Sequence, residues 1–353
     1  MTPDKKTIGL RLKKARQLLG LSMDQLVTRT GNQVTKGAIS KYEMGEYLPR
    51  EDKMRLLIDA LGISEDYYYK TINYEAHVTS MRSKTLLTER EKQMLLELML
   101  LTLERHLELE DTILHVKRPA VEKLHFEVLR EPEDAEIAAE YWRLEWKVGD
   151  YVVGGLYALL ELHGIVVQEI DSVIDFDGFT AIINEKIPVF VINSNRNVER
   201  RRFTALYELA HLILSFDEDA SDGLHEKLCN RFAGAALIPG SVMKRLLGAK
   251  RDNLFQEELI ILRNTWGVSI QSLAHRAFEL GIINQSVYGR IRESLAGNPL
   301  EIGLGDYQGD EHSRLFEGLT LRAVSQRLIT QSKASELLQM PGSELKDSLL
   351  QIW

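Results

Sequence analysis

Apolar residues recur at helical spacing through the start of the chain. Ile8, Leu10, Leu12, Ala15, Leu18 and Leu19 mark an amphipathic segment over residues 8–19, which Gly20 stops. Ser22 is placed as the N-cap of a second segment that runs to about Thr30 and ends at Gly31. A turn follows, and residues 35–43 form a third segment closed by Gly45. Pro49 stands ahead of a fourth over residues 50–61, and residues 64–69 start a short fifth. The pattern predicts an all-helical module whose second and third helices, joined by a tight turn, form a helix-turn-helix.

Residues 73–84 hold few large aliphatics and read as a hinge. Residues 86–114 then predict one long helix, apolar on nearly every side through Leu87, Met94, Leu95, Leu98, Met99, Leu100, Leu103 and Leu107. Such a helix must be covered, either inside the chain or by a second copy, which makes it a candidate homodimer element. From residue 132 the pattern mixes periods. Trp142-Arg143-Leu144 begins a helix expected to run on through Val148-Gly149-Asp150, and residues 155–163 form another, ended by Gly164. Residues 165–170, 178–183 and 187–193 are rich in β-branched residues and read as strands. Glu185-Lys186 between the last two suggests a hairpin. Residues 200–216 return to helical spacing, and 321–349 add a further helical segment.

Composition narrows the class. At 353 residues, 44% hydrophobic and 27% charged, the chain has room for two or three globular domains. No run reaches the roughly 20 apolar residues of a membrane span, and the lysine-bearing N-terminus lacks the apolar stretch of a secretory signal. Cys229 is the only cysteine, which excludes an intrachain disulfide and fits a cytoplasmic location. Residues 1–41 carry nine basic and two acidic side chains, a charge of +7, which leaves −15 on the other 312. One end of the chain is therefore suited to phosphates.

The residues of the basic end resemble a known family. Leu21-Ser22, Gln25-Leu26, Ile39-Ser40-Lys41-Tyr42-Glu43 with Gly45, Pro49 and the Ala60-Leu61-Gly62-Ile63 close are similar to the Cro/CI-type (XRE) DNA-binding domain. The resemblance implies that Lys36, Gly37, Ser40 and Lys41 face the major groove of double-stranded operator DNA, with Thr35 at the helix start and Ser22 at a phosphate. Two departures stand out. Met23 occupies a position where the family often has glutamine, and the turn Gly31-Asn32-Gln33-Val34 is about two residues longer than the commonest form.

A second resemblance covers roughly residues 132–290. Three strands precede Arg201-Arg202-Phe203-Thr204 and Tyr207-Glu208-Leu209-Ala210-His211, and then come Cys229-Asn230-Arg231-Phe232-Ala233 and Leu237-Ile238-Pro239. This order resembles the ImmA/IrrE zinc metallopeptidases, with tyrosine where the first histidine of H-E-x-x-H belongs. Positions 207 and 211 lie on one helix face, so both can reach one ion, and a carboxylate at 208 can take a proton from metal-bound water. The candidate metal donors are His211, Glu226 and, weakly, Tyr207, with Glu208 as general base. A neutral phenol is a poor zinc ligand, so zinc is only a possible cofactor, and Tyr207 is expected to fill the metal position and bond Glu226 or His211. The strand at residues 188–193 is expected to be the sheet edge that holds an extended substrate.

Together these readings imply a multi-domain chain. It would hold an all-α helix-turn-helix domain at 1–70, a hinge and connector helix at 71–131, an α+β zincin-like domain at 132–290 and a helical C-terminal segment at 291–353. The implied function is a DNA-binding regulator, repressor-like or antitoxin-like, whose peptidase-like domain is catalytically impaired and serves in sensing or in binding a partner protein such as a toxin or repressor. The alternative is an active, site-specific zinc protease that cleaves such a partner.

Overall fold

The computed structural model describes residues 4–345 apart from 64, 70–73, 84, 218, 342 and 344. In chain order it contains α1 (Lys5–Leu18), α2 (Met23–Arg29), α3 (Lys36–Glu43), α4 (Glu51–Leu61), α5 (Glu65–Tyr69), β1 (Ala76–Ser83) and α6 (Glu89–Leu107). Then come α7 (Pro132–Glu145), α8 (Leu156–Leu162), β2 (Val166–Ile170), β3 (Phe176–Ile183), β4 (Ile187–Asn193), α9 (Val198–Ile213) and α10 (Asp222–Leu237). The rest is helical: α11 (Gly240–Leu247), α12 (Gln256–Trp266), α13 (Ile270–Glu279), α14 (Gln285–Leu295), α15 (Leu315–Ser325) and α16 (Gln331–Leu338). Two compact units result. Met1–Ala76, Thr85–Val116 and Ala323–Trp353 form one; His77–Lys84 and Lys117–Arg322 form the other.

The first unit is built on the expected helices. Ile8, Leu12, Ala15, Leu26, Ile39, Leu57, Leu61 and Tyr68 make its core. α1 starts a turn earlier than its apolar spacing predicts, because Asp4 accepts from the Thr7 amide at 2.8 Å and caps it. A buried ion pair clamps α1 to α3: Arg16 donates Nε to Glu43 Oε1 at 2.6 Å and its NH2 group to Oε2 at 2.8 Å. Gly9 lets those helices touch, since a Cβ there would lie 2.2 Å from the Tyr42 carbonyl oxygen.

The long connector helix is shorter than predicted. Thr88 and Glu91 form a capping box that starts α6 at Glu89, and after Leu107 the winding loosens into a π-helical segment, Glu108–Leu114. Its apolar residues Leu95, Met99, Leu103 and Leu107 are buried inside the chain. Arg11 pairs with Glu104 at 2.8 Å and Lys14 with Glu97 at 2.9 Å, binding it to α1. The C-terminal helical segment is broken between α15 and α16; Arg105 donates to the Leu337 carbonyl at 3.0 Å. Residues 346–349 of that expectation, like Ser64 of the fifth helix, lie outside the described residues.

The second unit holds a four-stranded sheet in the order β1-β3-β4-β2. β3 and β4 pair antiparallel, with Thr180 opposite Phe190 and Ile183 opposite Ile187, through a turn that puts Asn184 and Glu185 at positive φ. β2 runs parallel to β4. Three expectations are corrected here. β4 is an interior strand with neighbours on both sides, so it cannot be an edge that receives substrate. The stretch read as a hinge is, over its described residues, the edge strand β1; Asn73 and Lys84, its expected limits, lie outside them. The helix expected to begin at Trp142 and run on to Asp150 is instead the last turn of α7, which starts at Pro132 and ends at Glu145, since Lys147 and Gly149 take positive φ and turn the chain. α9 packs on β3 and β4, and Gly178 permits it: a Cβ would meet Thr204 Cγ2 at 2.7 Å.

Candidate functional site

Two groups of predicted residues fall in the two units. In the first, Ser22 and Gln25 form a capping box on α2, with Gln25 N to Ser22 Oγ at 3.2 Å and Ser22 N to Gln25 Oε1 at 2.8 Å. Thr35 caps α3 by accepting from Ala38 N at 3.2 Å. Both hydroxyls that the sequence assigns to DNA therefore also fix the helix starts. Lys36, Gly37 and Lys41 are exposed on α3, and Ser40 is half-buried. A Cβ on Gly37 would touch nothing within 4 Å, so the start of α3 is sterically open. Lys36 Nζ lies 2.8 Å from Asp24 and Lys41 Nζ sits 5.6 Å from the Tyr47 ring centroid. Met23 is half-buried and packs against the core, which gives the family departure a structural role.

In the second unit, α9 carries Tyr207, Glu208 and His211. Asn197 caps this helix by accepting from Arg200 N at 3.0 Å. The i, i+4 spacing brings the Tyr207 and His211 rings edge to face, 4.7 Å apart. α10, capped by Ser221, brings Glu226 opposite them. The Tyr207 hydroxyl donates to Glu226 Oε1 at 2.5 Å. Burial, that hydrogen bond and the charge of Glu226 together push the ionisation of the phenol far above its ordinary value.

Glu208 is fully buried. Its Oε2 accepts from Thr180 Oγ1 at 2.7 Å and from Ser80 Oγ. Its Oε1 has no hydrogen-bond partner among the described residues. Burial raises its pKa to about 6, against the pull of the two hydroxyls and of Arg82. His211 Nε2 is likewise buried with no hydrogen bond among the described residues, and burial lowers the pKa of the ring. His225 does not join the group: its ring packs on Phe216 and its Nε2 lies 3.5 Å from the Asp217 carbonyl oxygen. Cys229 is buried, and its thiol is pushed well up by burial.

No pattern of residues signals the third contributor. β1 lies along β3 and sends Ser80 to Glu208. Arg82 crosses the Tyr207 ring at 4.3 Å and the Phe203 ring at 5.0 Å, donates to Asn230 Oδ1 at 3.2 Å and lies 3.7 Å from Asp177. Residues of such polar and mixed character, Ala-His-Val-Thr-Ser-Met-Arg-Ser, lack the alternation that signals a strand. Only the partners, 95 to 148 residues downstream, reveal their place.

The donor set fits a catalytic zinc poorly. Such sites use three protein ligands drawn from imidazole, carboxylate or thiolate. His211 and Glu226 are two, and the third position holds a protonated phenol that spends its hydrogen on Glu226. Among the described residues no cluster of three or more His, Cys, Asp or Glu side chains is placed to hold a metal. The half of the motif that survives is Glu208, fully buried, and His211, half-buried.

Comparison with known families finds two matches along the chain. Residues 12–68 match the family model described as helix-turn-helix. Residues 160–278 match that of the IrrE N-terminal-like domain, a peptidase family that is typically zinc-dependent. No curated protein matches the chain. No helix among the described residues is long and apolar enough to cross a membrane. The chain is therefore a fusion of an XRE-type helix-turn-helix domain with an IrrE N-terminal-like, metallopeptidase-type domain.

Proposed function

We propose that the protein is a cytoplasmic DNA-binding transcriptional regulator, repressor-like or antitoxin-like, that binds operator DNA as a homodimer. Its peptidase-like domain serves in sensing or in binding a partner protein, with catalysis impaired. The observation that carries this reading is the Tyr207–Glu226 hydrogen bond in the second unit, taken together with the open recognition helix of the first. The phenol occupies one metal-ligand position and engages the carboxylate of another, while α3 stays available to a groove.

The test pairs DNA binding with metal content on the purified full chain. Binding to DNA upstream of its own gene should weaken linearly on a log–log salt plot, with a slope of about −0.9 per neutralised phosphate. No binding to upstream DNA at low salt sinks the regulator. Stoichiometric zinc that is lost on Glu226→Ala sinks the impairment. The second reading, an active zinc protease that cleaves a repressor or partner, is favoured by one observation: Glu208 Oε1 and His211 Nε2 are both buried with no hydrogen-bond partner among the described residues. A general base and a metal ligand would use these two atoms.

A further inference from the structure

The strand β1 differs from the rest of its sheet. β3 is buried along nearly all its length and β4 along all but its first residue, whereas every residue of β1 is half-buried or exposed. Little apolar burial holds it. It is held instead by the edge of β3 and by polar contacts to the site: Ser80 on Glu208, Arg82 on Asn230, Asp177 and the Tyr207 ring. Ser80 and Arg82 are two apart on a strand and so project to the same face, toward α9. An extended segment added to a sheet edge, with alternate side chains in pockets, is the general geometry of peptide recognition by strand addition.

We propose that the IrrE-like domain is a strand-binding module and that β1 is its tethered occupant. The ligand class it takes is an extended peptide with a serine or threonine, one intervening residue, and an arginine. The hydroxyl donates to Glu208, whose Oε2 otherwise keeps only Thr180. The arginine stacks on Tyr207 and reaches Asn230 and Asp177. In this arrangement Tyr207 is a binding surface: a neutral ring bonded to Glu226 presents its face to a guanidinium. A partner protein carrying such a segment competes with β1 for the edge of β3. This deepens the partner-binding role proposed above and rests on it.

A labelled peptide with the sequence of residues 74–84 tests the assignment on the full-length chain. Fluorescence anisotropy should show at least tenfold tighter binding to a chain carrying Ser80→Ala and Arg82→Ala than to the unsubstituted chain, because the tethered strand no longer competes. A peptide with the same two substitutions should lose that gain. Equal affinity for both chains, or none for either, overturns the proposal. A second measurement needs no substituted protein: millimolar peptide should speed tryptic cleavage after Arg82 of the natural chain several-fold, and an unchanged rate overturns the proposal too. Mass spectrometry of the peptide, with zinc and with chelator, separates the two readings. A bound and intact peptide supports both. A bound and cleaved peptide supports the strand site and overturns impaired catalysis.

Discussion

Replacing Glu208 by glutamine should stabilise the second unit, by an amount that depends on pH. The carboxyl is fully buried and its pKa is raised from 4.5 to about 6. A folded-state pKa above the unfolded one means that the native state holds its proton more tightly. The stabilisation is therefore fully present below about pH 4.5 and is lost as pH rises through 6. The gap of about 1.5 pH units corresponds to about 2 kcal/mol at 1.36 kcal/mol per unit. Glutamine carries no charge to desolvate and can still meet the Thr180 and Ser80 hydroxyls. Glu208→Gln should thus be about 2 kcal/mol more stable than the natural chain at pH 8 and nearly equal at pH 4.5. Trp142, Trp146 and Trp266 lie in the second unit, so tryptophan fluorescence in a denaturant titration at several pH values follows it. His211, whose pKa is lowered, adds a slope of opposite sign, and comparing the two proteins at each pH removes it. A difference that does not change between pH 4.5 and 8, or a glutamine variant less stable at pH 8, would refute the reasoning.

Three further outcomes are expected. Tyr207→His should raise zinc affinity by restoring a third ligand, read by calorimetry; no zinc uptake would remove Glu226 as a donor. Glu43→Gln strands the Arg16 guanidinium inside the first unit and should cost about 3 kcal/mol, seen as a lower unfolding midpoint of the DNA-binding unit although no DNA-facing residue changes. Gly9→Ala sets a Cβ 2.2 Å from the Tyr42 carbonyl oxygen, so it should force α1 from α3 and weaken DNA binding together with stability; an unchanged midpoint would contradict the close approach.

Most of the first unit was legible because its signals are local. Ser22, Thr35 and the glycines after each helix act within a turn of their own position. The clamp between Arg16 and Glu43 was not legible, since 27 residues separate charges that only the fold makes neighbours. The start of α6 was misplaced because Leu86 and Leu87 extend the apolar run, while the Thr88–Glu91 capping box decides where the helix begins. In the second unit the antiparallel hairpin of β3 and β4 could be read from β-branched runs around a short turn. Its neighbour β1 could not.

The misreading of β1 and that of β4 have one cause. Hydrophobic periodicity reports strands that bury a face, and β4 does so in full while β1 does not. A polar strand stays on a sheet only where something other than the core holds it, and here the holders are the residues of the site itself. The same contacts that made β1 invisible to periodicity are those the proposed strand site would use: a carboxylate that accepts a hydroxyl, a ring that faces a guanidinium, and the backbone edge of β3 on which β1 lies. Tyr207 is then understood twice. As a metal ligand it is a defect, because its oxygen is protonated and bonded to Glu226. As the floor under Arg82 it is a fit, because histidine beside a metal would repel the cation that tyrosine accepts.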